Sequence, residues 1–164
     1  YELLHDRMDL RKIAPITDQE YFVRGTTALL DAMGRTIHKI AEIQKYTPED
    51  ERAEHVMFVI ITDGLENASR EYSYEKVHRM IEHQKEAYNW EFIFLGANID
   101  AVVTAGRFGI SPDRAVDYLA DSEGTKLNFN VVASAALCFR ESGSVDDACF
   151  EAIRADVKRR RGRR

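Results

Sequence analysis

Two short stretches carry side chains that could do chemistry together. In "VMFVIITDGLENAS" an apolar run from Val56 to Ile61 stops at Thr62, Asp63 and Gly64, with Glu66 and Asn67 just behind. In "RGTTALLDAMG", Arg24 to Gly34, two adjacent hydroxyls, Thr26 and Thr27, stand on a glycine-containing turn before a helical pattern. In open α/β sheets ligands bind beyond the carboxyl ends of the strands. Asp63 lies at such an end, and Gly64 lets the backbone turn there. Both stretches also have ordinary readings: Asp-Gly is a common strand-to-loop turn, and either threonine can cap a helix.

The elements that must position these residues follow from periodicity. "YELLHDRMDL" (Tyr1 to Leu10) reads as a half-exposed strand near a sheet edge. "APITDQEYFVRGTT" reads as an irregular connection, after which Thr26 or Thr27 caps a helix whose buried stripe includes Leu29, Leu30, Met33, Ile37 and Ile40. Thr47 and Pro48 open a short acidic turn. Ser73 caps a helix with Val77, Met80 and Ile81 on its buried face; Phe92 to Leu95 form a second apolar strand, and Asp100 caps a short helix. "RAVDYLA" (Arg114 to Ala120) is a further strand, and Asn128 to Arg140 and Val145 to Arg160 are the last helices. Strands alternating with helices predict an α/β fold: a Rossmann-like, mainly parallel sheet with helices on both faces. Strands apolar on both faces need helices over both, so Val56 to Ile61 is predicted to be central and not at an edge.

A chain of 164 residues, 45% hydrophobic and 31% charged, has the composition of an ordinary globular protein about one domain long. No apolar stretch approaches the roughly 20 residues of a membrane-spanning helix. Cys138 and Cys149 lack metal-site or disulfide-framework spacing and read as reduced structural residues. The chain begins with Tyr1, so the lack of a leader segment carries no information about compartment. The net charge of −5 hides a basic end, "KRRRGRR" (Lys158 to Arg164). Without interleaved aromatics, residues 158–164 read as a basic disordered tail on a domain spanning 1–157, and not as a nucleic-acid contact. No G-x-G-x-x-G follows a strand, and no Walker-type loop, paired-acid motif or nucleophile–base pair is present.

Taken together the two stretches resemble the von Willebrand factor type A domain. Thr62-Asp63-Gly64 matches the T-D-G that ends an apolar strand in that family. Gly25-Thr26-Thr27-Ala28-Leu29-Leu30-Asp31-Ala32-Met33 matches its G-G-T-x-L-x-x-A-L pattern, with Thr26 in place of the second glycine. The later "FIFLGANIDA" suits the family's next strand. The resemblance implies a metal-ion-dependent adhesion site, in which Mg²⁺ or Mn²⁺ is held above the sheet and an acidic side chain of a protein partner completes its shell. Thr27 would supply a hydroxyl, and Asp63 would act directly or through water; this is chemistry that a hard, oxygen-preferring cation accepts. Thr26, Glu66, Asn67, Asn98 and Asp100 are rim candidates whose types equally suit turns and caps.

The family's D-x-S-x-S loop does not occur here; "DSEGT" (Asp121 to Thr125) has the wrong spacing and comes too late. In the strand order 3-2-1-4-5-6 the chain would hold strand 3, from Tyr1, and strands 4 to 6. Residues 1–157 are therefore expected to form a single von Willebrand factor A-like domain, N-terminally incomplete and lacking its first strands. The expected function is a non-enzymatic protein-binding module whose cation site is incomplete in this chain. The alternative is a metal-assisted hydrolase or phosphoryl-transfer enzyme using Asp63, which needs further carboxylates at neighbouring strand ends, where Asp100 is near.

Overall fold

The computed structural model describes residues 1–17, 19 and 25–161. Arg24, the middle of the 14–27 connection and the last three residues of the basic end lie outside them. Among the described residues the sheet has three parallel strands in the order β1 (Met57–Thr62), β2 (Glu91–Gly96), β3 (Ala115–Asp117). Met57 pairs with Glu91 and Thr62 with Gly96; Phe94 pairs with Ala115 and Gly96 with Asp117. The two long apolar runs are thus adjacent and parallel, joined through α2 (Tyr74–Tyr88). The other helices are α1 (Leu29–Tyr46), α3 (Ala101–Arg107), α4 (Ser122–Ser142) and α5 (Glu151–Arg161). Among the described residues no helix is long and apolar enough to cross a membrane.

Alternation along β2 builds two cores. Phe92 and Phe94 pack with Leu30, Ile37, Val77, Ile81 and Phe108 under α1, α2 and α3. Ile93 and Leu95 pack with Val131, Phe139, Phe150 and Ile153 on the other side, beneath α4 and α5. Both β-to-β crossovers move the same way along the sheet, so crossovers of the same hand put α2 and α3 on the same face.

Local signals set several helix ends. Ser73 Oγ accepts from Lys76 N at 3.2 Å, Asp100 Oδ1 from Val103 N at 2.9 Å and Asp121 Oδ1 from Gly124 N at 2.9 Å. Asp121 opens α4 at Ser122, ahead of the expected Asn128. Thr47 closes α1, its hydroxyl donating to Ile43 O at 2.7 Å, and does not open the turn that follows.

Three expectations are corrected. The segment Tyr1 to Leu10 is not a strand. Adjacent Leu3-Leu4 break the period of two, and Arg7 takes a left-handed backbone (φ 49°). The segment lies along α1 instead, with Tyr1 Oη 3.3 Å from Thr36 Oγ1 and Asp6 Oδ2 2.7 Å from Lys39 Nζ. Second, among the described residues β2 is the central strand and β1 an edge, with Ile61 40% exposed; an apolar run reports covered faces and says nothing about covered edges. Third, residues 158–161 of the basic end are the last turn of α5. Arg160 reaches Asp121 Oδ2 at 2.8 Å and Asp156 Oδ2 at 2.9 Å, and Arg159 reaches Glu123 Oε1 at 3.0 Å. These acids neutralise the like charges that would otherwise repel.

Candidate functional site

The carboxyl end of β1 is shaped first by Thr62. Its buried hydroxyl donates to Gly64 O at 3.0 Å and folds the turn, while its carbonyl accepts from Ala97 N at 2.9 Å and ties the turn to the end of β2. Asn98, with φ 58°, donates from Nδ2 to Asp63 O at 3.4 Å.

The α1 N-terminus meets this loop by an arrangement that spacing did not reveal. The residue at its N-cap is Ala28, which has no side-chain acceptor, and not Thr26 or Thr27. The first backbone N–H groups of a helix need acceptors, and the loop after β1 supplies them. Leu30 N donates to Glu66 Oε2 at 2.9 Å and Asp31 N to Ser69 Oγ at 3.0 Å. Thr27 N donates to Asn67 Oδ1 at 2.8 Å, and Asn67 N returns a bond to Thr27 O at 3.0 Å.

Asp31 completes the clamp in the opposite direction. Its buried carboxylate accepts from Arg70 N and Glu71 N at 2.9 Å and from Tyr72 N at 3.0 Å. An Arg35–Glu71 ion pair closes the outer side. Gly34 lets this loop approach, since a Cβ there would run into the Tyr72 ring. Burial opposes ionisation of Asp31, but the three N–H donors and Arg35 outweigh it and hold its pKa below the usual carboxylate value. Glu66 is held low in the same way, burial being outweighed by Ser69 N, Leu30 N, Ser69 Oγ and Ala68 N.

The clamp brings Thr27 and the Asp63–Gly64 turn to one rim: a methyl group on Gly64 would lie 3.7 Å from Thr27 Oγ1. Asp63 is exposed, and its carboxylate makes no hydrogen bond or ion pair with the described residues. The other rim candidates are mostly engaged in holding the fold. Glu66 and Asn67 bind the α1 N-terminus, Asp100 caps α3, and Asn98 binds the Asp63 carbonyl. Asp117, at the end of β3, accepts from Ala101 N at 3.0 Å. The acids that a metal-assisted enzyme built on Asp63 would recruit are thus committed to α3.

Among the described residues no three His, Cys, Asp or Glu side chains converge as a metal site. One free carboxylate and one hydroxyl supply only part of the octahedral oxygen shell that Mg²⁺ prefers. Nothing in the spacing singles out Asp31 or Ser69 as clamp residues. An acid in the first turn of a helix lacking a side-chain cap is the available signal, and the polar run "ENASRE" the place to look. No family model, curated protein or solved structure matches this chain.

Proposed function

We propose that this chain is a protein-binding module of the von Willebrand factor A type, whose fold is a Rossmann-like parallel sheet specialised at the carboxyl end of β1. In this reading Thr27 and Asp63 contribute to a divalent-cation site, with Mg²⁺ or Mn²⁺ as the ion, and an acidic side chain of a partner protein adds to the shell. The site is incomplete in this chain. The observation that carries the reading is the juxtaposition of Thr27 with the Asp63–Gly64 turn across the two clamped loops. Asp63 stays exposed while its neighbours are spent on backbone contacts, which is what a rim presenting one carboxylate outward requires. A bound cation would supply a positive centre for the partner's carboxylate; Thr27 and Asp63 would orient it.

Mn²⁺ alone is the direct probe, followed by water-proton relaxation. Weak enhancement is expected, lost in Asp63→Ala and reduced in Thr27→Ala. Enhancement indifferent to both substitutions, or none even at millimolar Mn²⁺, removes the cation from this reading.

A further inference from the structure

At the opposite, amino end of the sheet a cleft of about 820 Å³ opens between α1 and α2. Volumes of roughly 300–1,000 Å³ are typical of small-molecule sites. Its base is apolar: Ile37 and Ala41 from α1, Met80 from α2, and Val56 and Trp90 just ahead of β1 and β2. Trp90 is buried and stacked on Phe58, with ring centroids 5.5 Å apart. Gln84 also lines the cleft; it is buried, and its Oε1 has no hydrogen-bond partner among the described residues. That leaves an acceptor unmet where buried polar atoms are ordinarily paired.

The rim carries the opposite sign to the protein. Lys45, Arg52, Lys76 and Arg79 line it against Glu42 and Glu54, in a chain whose net charge is −5. The Arg79 side chain makes no ion pair or hydrogen bond with the described residues. Among the described residues Arg52 has no carboxylate partner, and it donates from Nε to Thr47 O at 2.8 Å. The loop bearing Arg52 is fixed to α1: Gln44 Nε2 donates to Ala53 O at 2.8 Å, and Ala53 N to Gln44 Oε1 at 3.2 Å. Guanidinium groups with no carboxylate partner among the described residues, above an apolar, aromatic base, are suited to a ligand with an anionic group and a flat apolar body.

We propose that this cleft binds a small aromatic anion of about nucleoside-monophosphate size, with its charged group on Arg52 and Arg79 and its ring against Met80 and Trp90. The Gln84 oxygen is covered in the open cleft, so an amino or ring N–H group of the ligand engages it once the amide turns outward. The proposal does not rest on the cation reading, because the two sites lie at opposite ends of the sheet.

Trp90 is the only tryptophan in the sequence, so indole emission reports from the base of this cleft. The probes are AMP, adenosine, inorganic phosphate and the aromatic sulfonate 8-anilinonaphthalene-1-sulfonate, titrated against the full chain and against Arg52→Ala and Arg79→Ala. Melting curves verify that the variants fold, and excitation at the red edge of indole absorption avoids adenine. Saturable quenching by AMP or by the sulfonate is expected, weakened about tenfold or more by each Arg→Ala change, as loss of a charge-assisted hydrogen bond implies. Adenosine and phosphate should each bind at least about tenfold more weakly than AMP. Asp63→Ala should leave all of this unchanged, which separates the result from the fate of the cation site. Failure of both AMP and the sulfonate to quench overturns the proposal, as does binding indifferent to the two arginines. Phosphate binding as tightly as AMP refutes the aromatic half.

Discussion

The carboxylate of Asp31 faces three backbone N–H groups at once, so its two oxygens have more donors than an amide could serve. Asp31→Asn keeps the shape but turns an NH₂ group toward donors. Stranding a buried N–H costs about 1–3 kcal/mol, and a fall of that size is expected in urea denaturation at neutral pH. Acid should reveal the same clamp. Asp31 and Glu66 titrate lower in the fold than in the unfolded chain, so the unfolded state takes up protons first as pH falls. Their contribution is complete above the ordinary carboxylate pKa of about 4 and is lost as pH drops through the depressed folded values. A double Asp31→Asn, Glu66→Gln variant should therefore show a shallower loss of stability with acid over that window, measured by denaturation at stepped pH. Ser73 and Asp100 were legible as caps because each serves an N–H three residues ahead. Asp31 was not, because its partners on the facing loop lie 39 to 41 positions away. Glu66 does serve Ser69 N three residues ahead, but its bond to Leu30 N spans 36 positions, and spacing encodes only near neighbours.

Among helices and strands, α5 departs most from what its composition suggests. A run of arginines reads as a solvated end when viewed alone, but the acids that hold it are the Asp121 cap of α4, Glu123 in its first turn and Asp156 on α5 itself. Asp156 is buried, with Arg159 and Arg160 as its partners. Removing residues 158–164 should lower the melting temperature and shift it further than Arg140→Ala, a change at an arginine with no ion pair to a described residue. An equal, negligible effect would mean these pairs carry no weight, as holds for many exposed ion pairs. The strands were easier to read: the unbroken apolar runs of β1 and β2 announce two covered faces from the amino-acid sequence alone. Their order at the edge was not legible, since side-chain patterning carries no record of which backbone edge is paired.

For the molecule as a whole, β2 is the shared wall of two cores, and this couples them. Phe94 belongs to the core under α1–α3 and Phe150 to the core under α4 and α5; both are fully buried. Truncating either to alanine should cost about 3–5 kcal/mol, a large share of the roughly 5–15 kcal/mol that stabilises a typical domain. Both variants should still unfold in one transition, with Trp90 emission and helical circular dichroism coinciding. Separate midpoints for the two probes would show that the cores fail independently. The sheet also keeps two regions of different chemistry apart. Its carboxyl end is a clamped rim with an outward acid, and its amino end a cationic cleft.

The cross-loop clamp also orders events in time. The Leu30 and Asp31 amides gain their acceptors only when residues 66–69 are in place, and the Arg70, Glu71 and Tyr72 amides only when α1 presents Asp31. Neither loop can become protected from hydrogen exchange before the other. In a pulse-labelling experiment these five amides should become protected in a single refolding phase, and in the native state they should open with a common free energy, as one cooperative unit spanning two distant parts of the chain.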